Sequence, residues 1–91
     1  RLYALPGGPP LRPGLVRVED GDGCAIEVEV WRMPAERFGG FVAGIPAPLG
    51  IGKLRLADGR EVPGFLCESL AVRDAPDISR HGGWRAYLAS R

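Results

Sequence analysis

The sequence predicts a small α+β domain that is mainly β. The 14 glycines and 9 prolines make up about a quarter of the 91 residues, which favours short elements joined by frequent turns. Apolar residues make up 45% of the chain and the formal net charge is +1, so a packed core is expected rather than disorder. The segment 26–31 alternates with the period of a half-buried strand. A chain of this length allows one domain, spanning residues 1–91.

Three strands are expected in the first third of the chain. The apolar run Leu2–Leu5 predicts a short strand that ends at an exposed, glycine- and proline-rich loop at 6–10. A second strand is expected at residues 15–18, before a turn at 19–23. The clearest strand is expected at 26–31. Its apolar face carries Ile26, Val28 and Val30, and its other face carries Glu27, Glu29 and Trp31.

One short amphipathic helix is expected between residues 34 and 44. Apolar side chains recur at i, i+3, i+4 and i+7 from Phe38 to Ile45, and Glu36 suits the positive N-terminal end. Gly39 and Gly40 would each cost about 1 kcal/mol in this helix relative to alanine. We therefore expect a neighbouring backbone or aromatic ring to pack closely against them.

The chain from 53 to 62 predicts a β-hairpin whose register follows from its turn. If residues 57–59 form a three-residue loop with Gly59 left-handed, apolar residues face each other and opposite charges face each other. The two pairs of this register are Leu54 with Val62 and Arg55 with Glu61. A tight two-residue turn would oppose an apolar residue to a charged one, so we prefer the longer loop. The second arm is expected to continue through Cys67 toward Val72.

Charge and hydropathy exclude several classes of partner. Twelve Lys and Arg residues balance eleven Asp and Glu residues without runs of one sign, so no footprint for nucleic acid or for an anionic membrane is expected. There is no charged-then-apolar leader and no apolar run long enough to span a bilayer. These features predict a soluble, cytoplasmic protein.

The two cysteines, Cys24 and Cys67, do not indicate a metal or redox site. They lack CxxC spacing and histidine-rich surroundings, so neither a metal nor another cofactor is expected. A disulfide between them stays an open alternative, because two thiols in a small domain can pair where the compartment is oxidising.

The segment Ile45–Gly52 is the most informative for function. It holds two prolines and two glycines and has no charged or hydrogen-bonding side chain, which predicts a defined path with bare backbone amides. Such a segment is typical of a loop that binds a small ligand. The alternative is a hydrophobic turn packed under a sheet, and spacing alone leaves both open.

Several collinear segments together closely resemble the C-terminal domain of allophanate hydrolase. They are Leu2–Pro6, Pro13–Leu15, Ile26–Trp31, Ile45–Gly52, Gly64–Glu68, Asp77–Ser79 and Gly82–Leu88. The resemblance covers nearly the whole chain. It implies a γ-glutamyl cyclotransferase-type fold, which is a small, mostly antiparallel barrel with one or two short helices.

The resemblance also implies a function. In the full-length hydrolase an amidase domain deaminates allophanate during urea breakdown, and the C-terminal domain helps to decarboxylate N-carboxycarbamate or organises the assembly. The chain is therefore expected to be an accessory domain that binds a small carboxylate or carbamate, with an amidase domain or a second copy as partner. A non-catalytic assembly or ligand-sensing module is the alternative. Whether this chain is itself an enzyme stays open, because the amidase domain is absent.

Two departures from the family limit this expectation. The family domain opens with a strand and a loop of the Gly-Ala-His-Leu type, whose histidine is the best catalytic candidate, and this sequence begins after that segment. The domain is thus expected to lack its N-terminal strand and loop. Related cyclotransferases carry a glutamate after the helix, but residues 44–48 here hold no carboxylate, so cyclotransferase activity is not expected.

Glu68 is the candidate catalytic residue. It follows the apolar run Phe65–Cys67, and if it is buried its pKa rises enough for it to act as an acid or base. The competing interpretation is an ion pair at the strand end with Arg73 or Lys53.

The candidate ligand-binding residues follow from the charge of the carbamate. The backbone amides of residues 49–52 would donate hydrogen bonds to the ligand. Arg85 would supply a bidentate cation, and Tyr3 or Tyr87 a neutral donor. The residues assigned to the site are Tyr3, Pro48, Leu49, Gly50, Ile51, Gly52 and Arg85. Arg85 has a simpler interpretation as a surface residue of a C-terminal helix, and His81 as a loop residue. Trp31 and Trp84 are expected to cover core edges, and Trp84 alternatively to line a pocket or subunit contact.

Overall fold

The computed structural model describes residues 1–8, 10–19 and 21–91. Pro9 and Asp20, which belong to the predicted loop at 6–10 and the predicted turn at 19–23, lie outside the described residues. The strands are β1 Leu2–Ala4, β2 Pro13–Leu15, β3 Leu49–Arg55 and β4 Glu61–Cys67. The helices are α1 Ala35–Ala43, α2 Trp84–Ala89 and two 3₁₀-helices, Ser69–Val72 and Ser79–His81. The predicted mainly β α+β class with short helices is confirmed.

The four strands form two antiparallel pairs. β1 pairs with β2, with Tyr3 opposite Gly14, and β3 pairs with β4. Among the described residues, hydrogen bonds between strands form these two sheets and do not close the expected barrel. None of the helices that these residues form has the length and apolar character needed to cross a bilayer.

The core lies where β1 meets the C-terminal part of the chain. The Ile78 amide donates to the Leu2 carbonyl at 2.8 Å, and the Leu2 amide donates to Ser79 Oγ at 2.8 Å. The buried residues Leu2, Leu5, Cys67, Ile78 and Ser79 make up this core. Gly14 allows it to close, because a Cβ there would lie 2.9 Å from Leu5 Cδ2 and 3.1 Å from Cys67 Sγ.

The β3–β4 hairpin has the predicted register. Leu54 lies opposite Val62 and Arg55 opposite Glu61, and Gly59 closes the turn with φ of 90°. The Leu56 amide donates to the Arg60 carbonyl across the three-residue loop at 2.8 Å. The second arm ends at Cys67 and continues as a 3₁₀-helix rather than as a strand toward Val72.

The predicted helix is present, but the explanation for its two glycines is wrong. α1 begins after Pro34 and ends at Gly44. A Cβ at Gly39 or Gly40 would meet no atom within 4 Å, so nothing packs closely against either residue. Instead, α1 contacts the hairpin through Phe41, whose ring centroid lies 5.8 Å from that of Phe65.

The strand predicted at 26–31 is also wrong. The segment has one isolated bridge, which is parallel, between Glu27 and Gly83. Trp31 is 80% exposed and so does not cover a core edge as expected. Alternation describes which way side chains point, whereas a strand also requires a neighbouring backbone to bond with along its length. The described part of the chain supplies that partner at only one residue.

Candidate functional site

Two of the concave surfaces formed by the described residues are large enough to hold a small ligand. The first, which we call the proline cleft, has a volume of about 420 Å³ and lies where the loop after β1 meets the entry to β3. Its lining residues are Leu5, Pro6, Gly8, Pro10, Arg12, Pro48 and Ala71. The second, which we call the apolar groove, has a volume of about 550 Å³ and lies between the segment 26–31, α1 and the β3–β4 hairpin.

Arg12 gives the proline cleft its charge. It is the single ionisable residue of the lining, and its side chain is exposed. Its carbonyl accepts a hydrogen bond from the Leu5 amide at 3.0 Å, which fixes the backbone from which the side chain projects. No ion pair of Arg12 occurs in the described part of the chain. A guanidinium at the edge of an otherwise uncharged cleft suits a small carboxylate.

The predicted free amides of the segment Ile45–Gly52 are largely engaged. The second half of this segment is the start of β3, and the Leu49 amide donates to the Pro46 carbonyl at 3.1 Å. Just beyond the two ends of the hairpin, the Glu68 amide donates to the Pro48 carbonyl and the Leu56 amide donates to the Arg60 carbonyl. The hydrogen-bonded residues of the first arm are therefore the even-numbered ones. Because bonded pairs alternate along an antiparallel ladder, Gly50 and Gly52 face β4 with their amides.

This arrangement corrects the expectation of a loop lined with donors. Of residues 49–52, Leu49 and Ile51 have amides that point away from β4, and the Leu49 amide already donates to the Pro46 carbonyl. Both earlier interpretations, the ligand loop and the packed turn, missed that half of the segment is strand. Pro48 is the predicted binding residue that lines the proline cleft, while Leu49 and Ile51 line the apolar groove.

Glu68 lies beside the proline cleft, but it is exposed. Its amide donates to the Pro48 carbonyl at 3.0 Å, and its own carbonyl accepts from the Ala71 amide at 3.1 Å. Its backbone therefore joins two lining residues of the cleft. The burial that its predicted acid or base role requires is absent, and the ion pair with Arg73 or Lys53 does not occur among the described residues.

Arg85 and Tyr3 do not join Pro48 at one site. The Arg85 side chain is 80% exposed on α2 and forms an ion pair with Glu29, as its interpretation as a surface residue suggests. Tyr3 lies on β1 opposite Gly14, and neither it nor Arg85 lines the cleft or the groove.

The residues around α2 form an aromatic cluster rather than a catalytic one. His81 packs edge-on against Tyr87 with 5.4 Å between ring centroids, and Trp84 lies 5.4 Å from the same ring. Trp84 also lines the apolar groove, as one of its two interpretations predicted. The described residues contain no group of three or more His, Cys, Asp or Glu side chains placed to hold a metal ion.

Both cysteines are free thiols. Cys24 is exposed, whereas Cys67 is buried in the core. Burial, and after it the charge of Glu68, raises the pKa of the Cys67 thiol. A thiol with a raised pKa is a poor nucleophile, so Cys67 acts as a small apolar residue of the core.

The sequence reasoning missed two groups. Arg12 was passed over because it stands alone among prolines and forms no motif. The second group is the ion pair of Arg1 Nε with Asp77 Oδ2 at 2.5 Å, together with the Ser79 amide, which donates to Asp77 Oδ1 at 2.9 Å. Hydrogen bonding from Ser79, and then from Arg1, lowers the pKa of Asp77 to about 2. The Asp-x-Ser spacing is the signal that could have revealed this turn.

The apolar groove has the wrong charge for an anion. Its lining is mainly aliphatic and aromatic, and its ionisable residues are Glu27 and Glu29. A carboxylate or carbamate would meet two like charges there and no cation among the described lining residues. Of the two surfaces, the proline cleft is thus the candidate site for a small anion.

The family profile and the similar sequences all belong to allophanate hydrolase or urea amidolyase. The sequence profile of the allophanate hydrolase C-terminal domain matches residues 1–89. Urea amidolyase of Saccharomyces cerevisiae is 46% identical over 91 aligned positions, which cover 97% of this chain and 5% of that protein. The chain therefore spans about one twentieth of the length of this curated relative.

Solved structures share the fold. Allophanate hydrolase of Kluyveromyces lactis superposes with a TM-score of 0.90 at 44% identity, over 98% of this chain and 15% of that one. The protein c4763, described as specific to uropathogenic E. coli, superposes with a TM-score of 0.84 at 36% identity. That match covers all of this chain and 68% of the other.

Proposed function

Because the chain belongs to the allophanate hydrolase C-terminal domain family, we propose that it is an accessory domain of urea and allophanate breakdown. In this proposal residues 1–91 act as one unit beside an amidase domain, which carries out the deamination. The relatives named urea amidolyase and allophanate hydrolase support the proposal, since the matched region is a small part of each. Two free cysteines agree with a cytoplasmic location.

The proposed ligand is a small carboxylate or carbamate bound in the proline cleft. The observation that carries this assignment is Arg12, a cation without an ion-pair partner among the described residues, at the edge of a cleft that contains Pro48. A guanidinium can hold one carboxylate through two parallel hydrogen bonds. The amides of Leu49, Gly50 and Gly52 contribute little, because they are already bonded.

The proposed reaction is the loss of carbon dioxide from a carbamate. The bond between nitrogen and the carboxylate carbon breaks, and the nitrogen takes up a proton as carbon dioxide leaves. An acid near the nitrogen and a cation on the remaining carboxylate both lower the barrier. Arg12 is the proposed cation, and Glu68, exposed beside Pro48 and Ala71, is proposed to hold the water molecule that delivers the proton.

Binding to the cleft can be measured directly. Malonate, a stable dianion of similar size, would be titrated into the chain by isothermal calorimetry. The R12A variant is expected to bind at least about tenfold more weakly, because one charge-assisted hydrogen bond contributes 1.5–3 kcal/mol or so. R37A, which removes an exposed cation on α1 away from the cleft, is the matched control and should bind as the wild type does. Equal affinity of R12A and wild type would contradict the assignment.

Carbon dioxide release tests the reaction. With an active amidase domain and allophanate present, addition of the chain is expected to accelerate release, and R12A and E68Q are expected to lose that acceleration. The control R37A should retain it. An unchanged rate on addition of the wild-type chain would favour the second candidate function, a non-catalytic assembly or ligand-sensing module that associates with an amidase domain or a second copy. The apolar groove is the observation that favours this candidate.

A further inference from the structure

The proline cleft is larger and less polar than a carbamate requires. Its volume of about 420 Å³ lies within the range of roughly 300–1,000 Å³ that is typical of clefts for larger organic ligands. Apart from Arg12, the lining consists of prolines, two aliphatic side chains and one glycine. A carbamate held by Arg12 would occupy only part of this space. The cleft therefore has room and apolar surface for a ligand with a larger, uncharged part.

The backbone of the cleft offers few hydrogen-bond donors to a second anionic group. The three prolines of the lining have no amide N–H. The Leu5 amide donates to the Arg12 carbonyl at 3.0 Å. The Ala71 amide donates to the Glu68 carbonyl at 3.1 Å. The remaining lining amides are those of Gly8 and of Arg12 itself.

The charges at the cleft also suit one anionic group rather than two. Arg12 is the single ionisable residue of the lining, so one carboxylate can pair with its guanidinium and a second one finds no cation there. Glu68 is exposed, and its backbone is bonded to those of Pro48 and Ala71. A negative charge beside these two residues disfavours a second anionic group on that side of the cleft.

We propose that the proline cleft also binds a short-chain aliphatic monocarboxylate, which competes with the carbamate for Arg12. The carboxylate pairs with the guanidinium, and the alkyl chain lies against the apolar lining that includes Leu5, Pro48 and Ala71. Such a ligand inhibits the proposed reaction, because it has no bond between nitrogen and a carboxylate carbon to break. The inference rests on the proposed role of Arg12 in binding an anion.

The charge pattern assigns this ligand to the proline cleft rather than to the apolar groove. The groove has the larger apolar lining, but its ionisable lining residues are Glu27 and Glu29. A carboxylate would meet like charges there. An alcohol with the same alkyl chain has no charge and is not repelled, so it serves as the probe that separates the two surfaces.

A series of monocarboxylates of increasing length tests the proposal. Propionate, butyrate, pentanoate and hexanoate would each be titrated into the ¹⁵N-labelled chain, and the amide shifts would be followed. Affinity is expected to rise at least about twofold with each added methylene, because each one leaves water for apolar surface. The shifts are expected at Gly8 and Ala71 rather than at Val30 of the groove.

Two further ligands define the role of the charge. Pentanoate is expected to displace malonate competitively, since both require the same guanidinium. Pentanol is expected to bind the cleft at least about tenfold more weakly than pentanoate, because it cannot form the charge-assisted hydrogen bonds.

Two variants test the two parts of the cleft. R12A should weaken pentanoate binding at least about tenfold. A71L places a larger side chain in the lining and should remove the gain in affinity from butyrate to hexanoate. A86L enlarges an exposed alanine of α2 outside the cleft, so this matched control should keep the wild-type series.

Equal affinity across the wild-type series, tighter binding of pentanol than of pentanoate, or shifts confined to the groove would overturn the proposal. Malonate binding that depends on Arg12, together with a flat series, would reject this inference and leave the proposed function intact. Pentanoate binding that depends on Arg12 without any binding of malonate would support this inference and reject the carbamate as the ligand.

Discussion

At the scale of single residues, the ion pair between Arg1 and Asp77 stabilises the fold and takes no part in the proposed reaction. Asp77 accepts hydrogen bonds from Arg1 and from the Ser79 amide, and Ser79 Oγ in turn accepts from the Leu2 amide. This chain of contacts links β1 to the 3₁₀-helix at 79–81 through atoms at the border of the core. It explains why an aspartate stands beside the buried residue Ile78.

The lowered pKa of Asp77 predicts a pH dependence of stability. Its folded pKa of about 2 lies below the ordinary value of 3.8, so the contribution is complete above pH 4 or so and is lost as the pH falls toward 2. D77N should therefore lower the free energy of unfolding at pH 7 by about 1 kcal/mol, discounted because the carboxylate is one third exposed. It should also flatten the decline between pH 4 and 2.

Thermal unfolding from pH 2 to 7, followed by circular dichroism, checks this prediction. D74N replaces a nearby exposed aspartate without an ion pair in the described part of the chain, and it serves as the control. A D77N variant with the wild-type acid profile would show that Asp77 does not link protonation to folding.

Residue-scale reasoning from the sequence named two of the residues that lie at or beside the proline cleft. Pro48 and Glu68 were predicted, and the structure places them side by side. Arg85 was predicted for its charge near the end of the chain, but the helix that carries it turns it toward Glu29. Arg12 was missed because a lone cation indicates a binding site only when the fold places another segment beside it. Here that segment contains Pro48.

At the scale of elements, the sequence predicted structure correctly where an element pairs within one continuous segment of the chain. The hairpin register was predictable because both arms and the turn lie within 19 consecutive residues, and side-chain pairing selects one alignment. The strand prediction for residues 26–31 was wrong because a strand needs a partner backbone, and the alternation of side chains does not show whether one is present.

The glycines of α1 provide an element-scale prediction. Gly39 and Gly40 lie inside the helix and face open space, so a methyl group at either position meets no neighbour. G39A and G40A are each expected to stabilise the chain by up to about 1 kcal/mol, because alanine loses less backbone entropy on folding. Urea denaturation measures the change.

A third glycine gives the opposite expectation and acts as control. Gly59 has a φ of 90° in the hairpin turn, where a side chain is strained. G59A should destabilise the chain by about 1 kcal/mol. If G39A and G40A also destabilise it, then a partner packs on that side of α1 in solution, and the open space in the structure is not the functional state.

At the scale of the whole molecule, the small core contrasts with the large apolar exterior. Four apolar residues are buried, whereas ten large ones are exposed among the described residues. A domain of 91 residues has little stability to lose, so this surface is costly unless something covers it. The sequence composition predicted a packed fold, but it could not show that much of the apolar content would lie outside the core.

This imbalance predicts dye binding by the folded chain. The apolar dye ANS is expected to fluoresce in the groove under native conditions, and W31K should lower the signal by roughly half or more. L70K, which alters an exposed leucine outside the groove, should leave the signal unchanged. Near-ultraviolet circular dichroism of the same samples verifies that tertiary packing is intact. Equal signals from W31K and wild type would place the dye elsewhere.

The contact between Leu2 and Ser79 has a consequence for the order of events during synthesis. The core joins Leu2 and Leu5 to Ile78 and Ser79, and the bonded residues Leu2 and Ser79 are 77 positions apart in the sequence. A nascent chain on the ribosome cannot assemble this centre until residue 79 has been synthesised and has left the ribosome. The β3–β4 hairpin, whose contacts are local, can form before that point, and the pairing of these distant segments is expected to limit the folding rate.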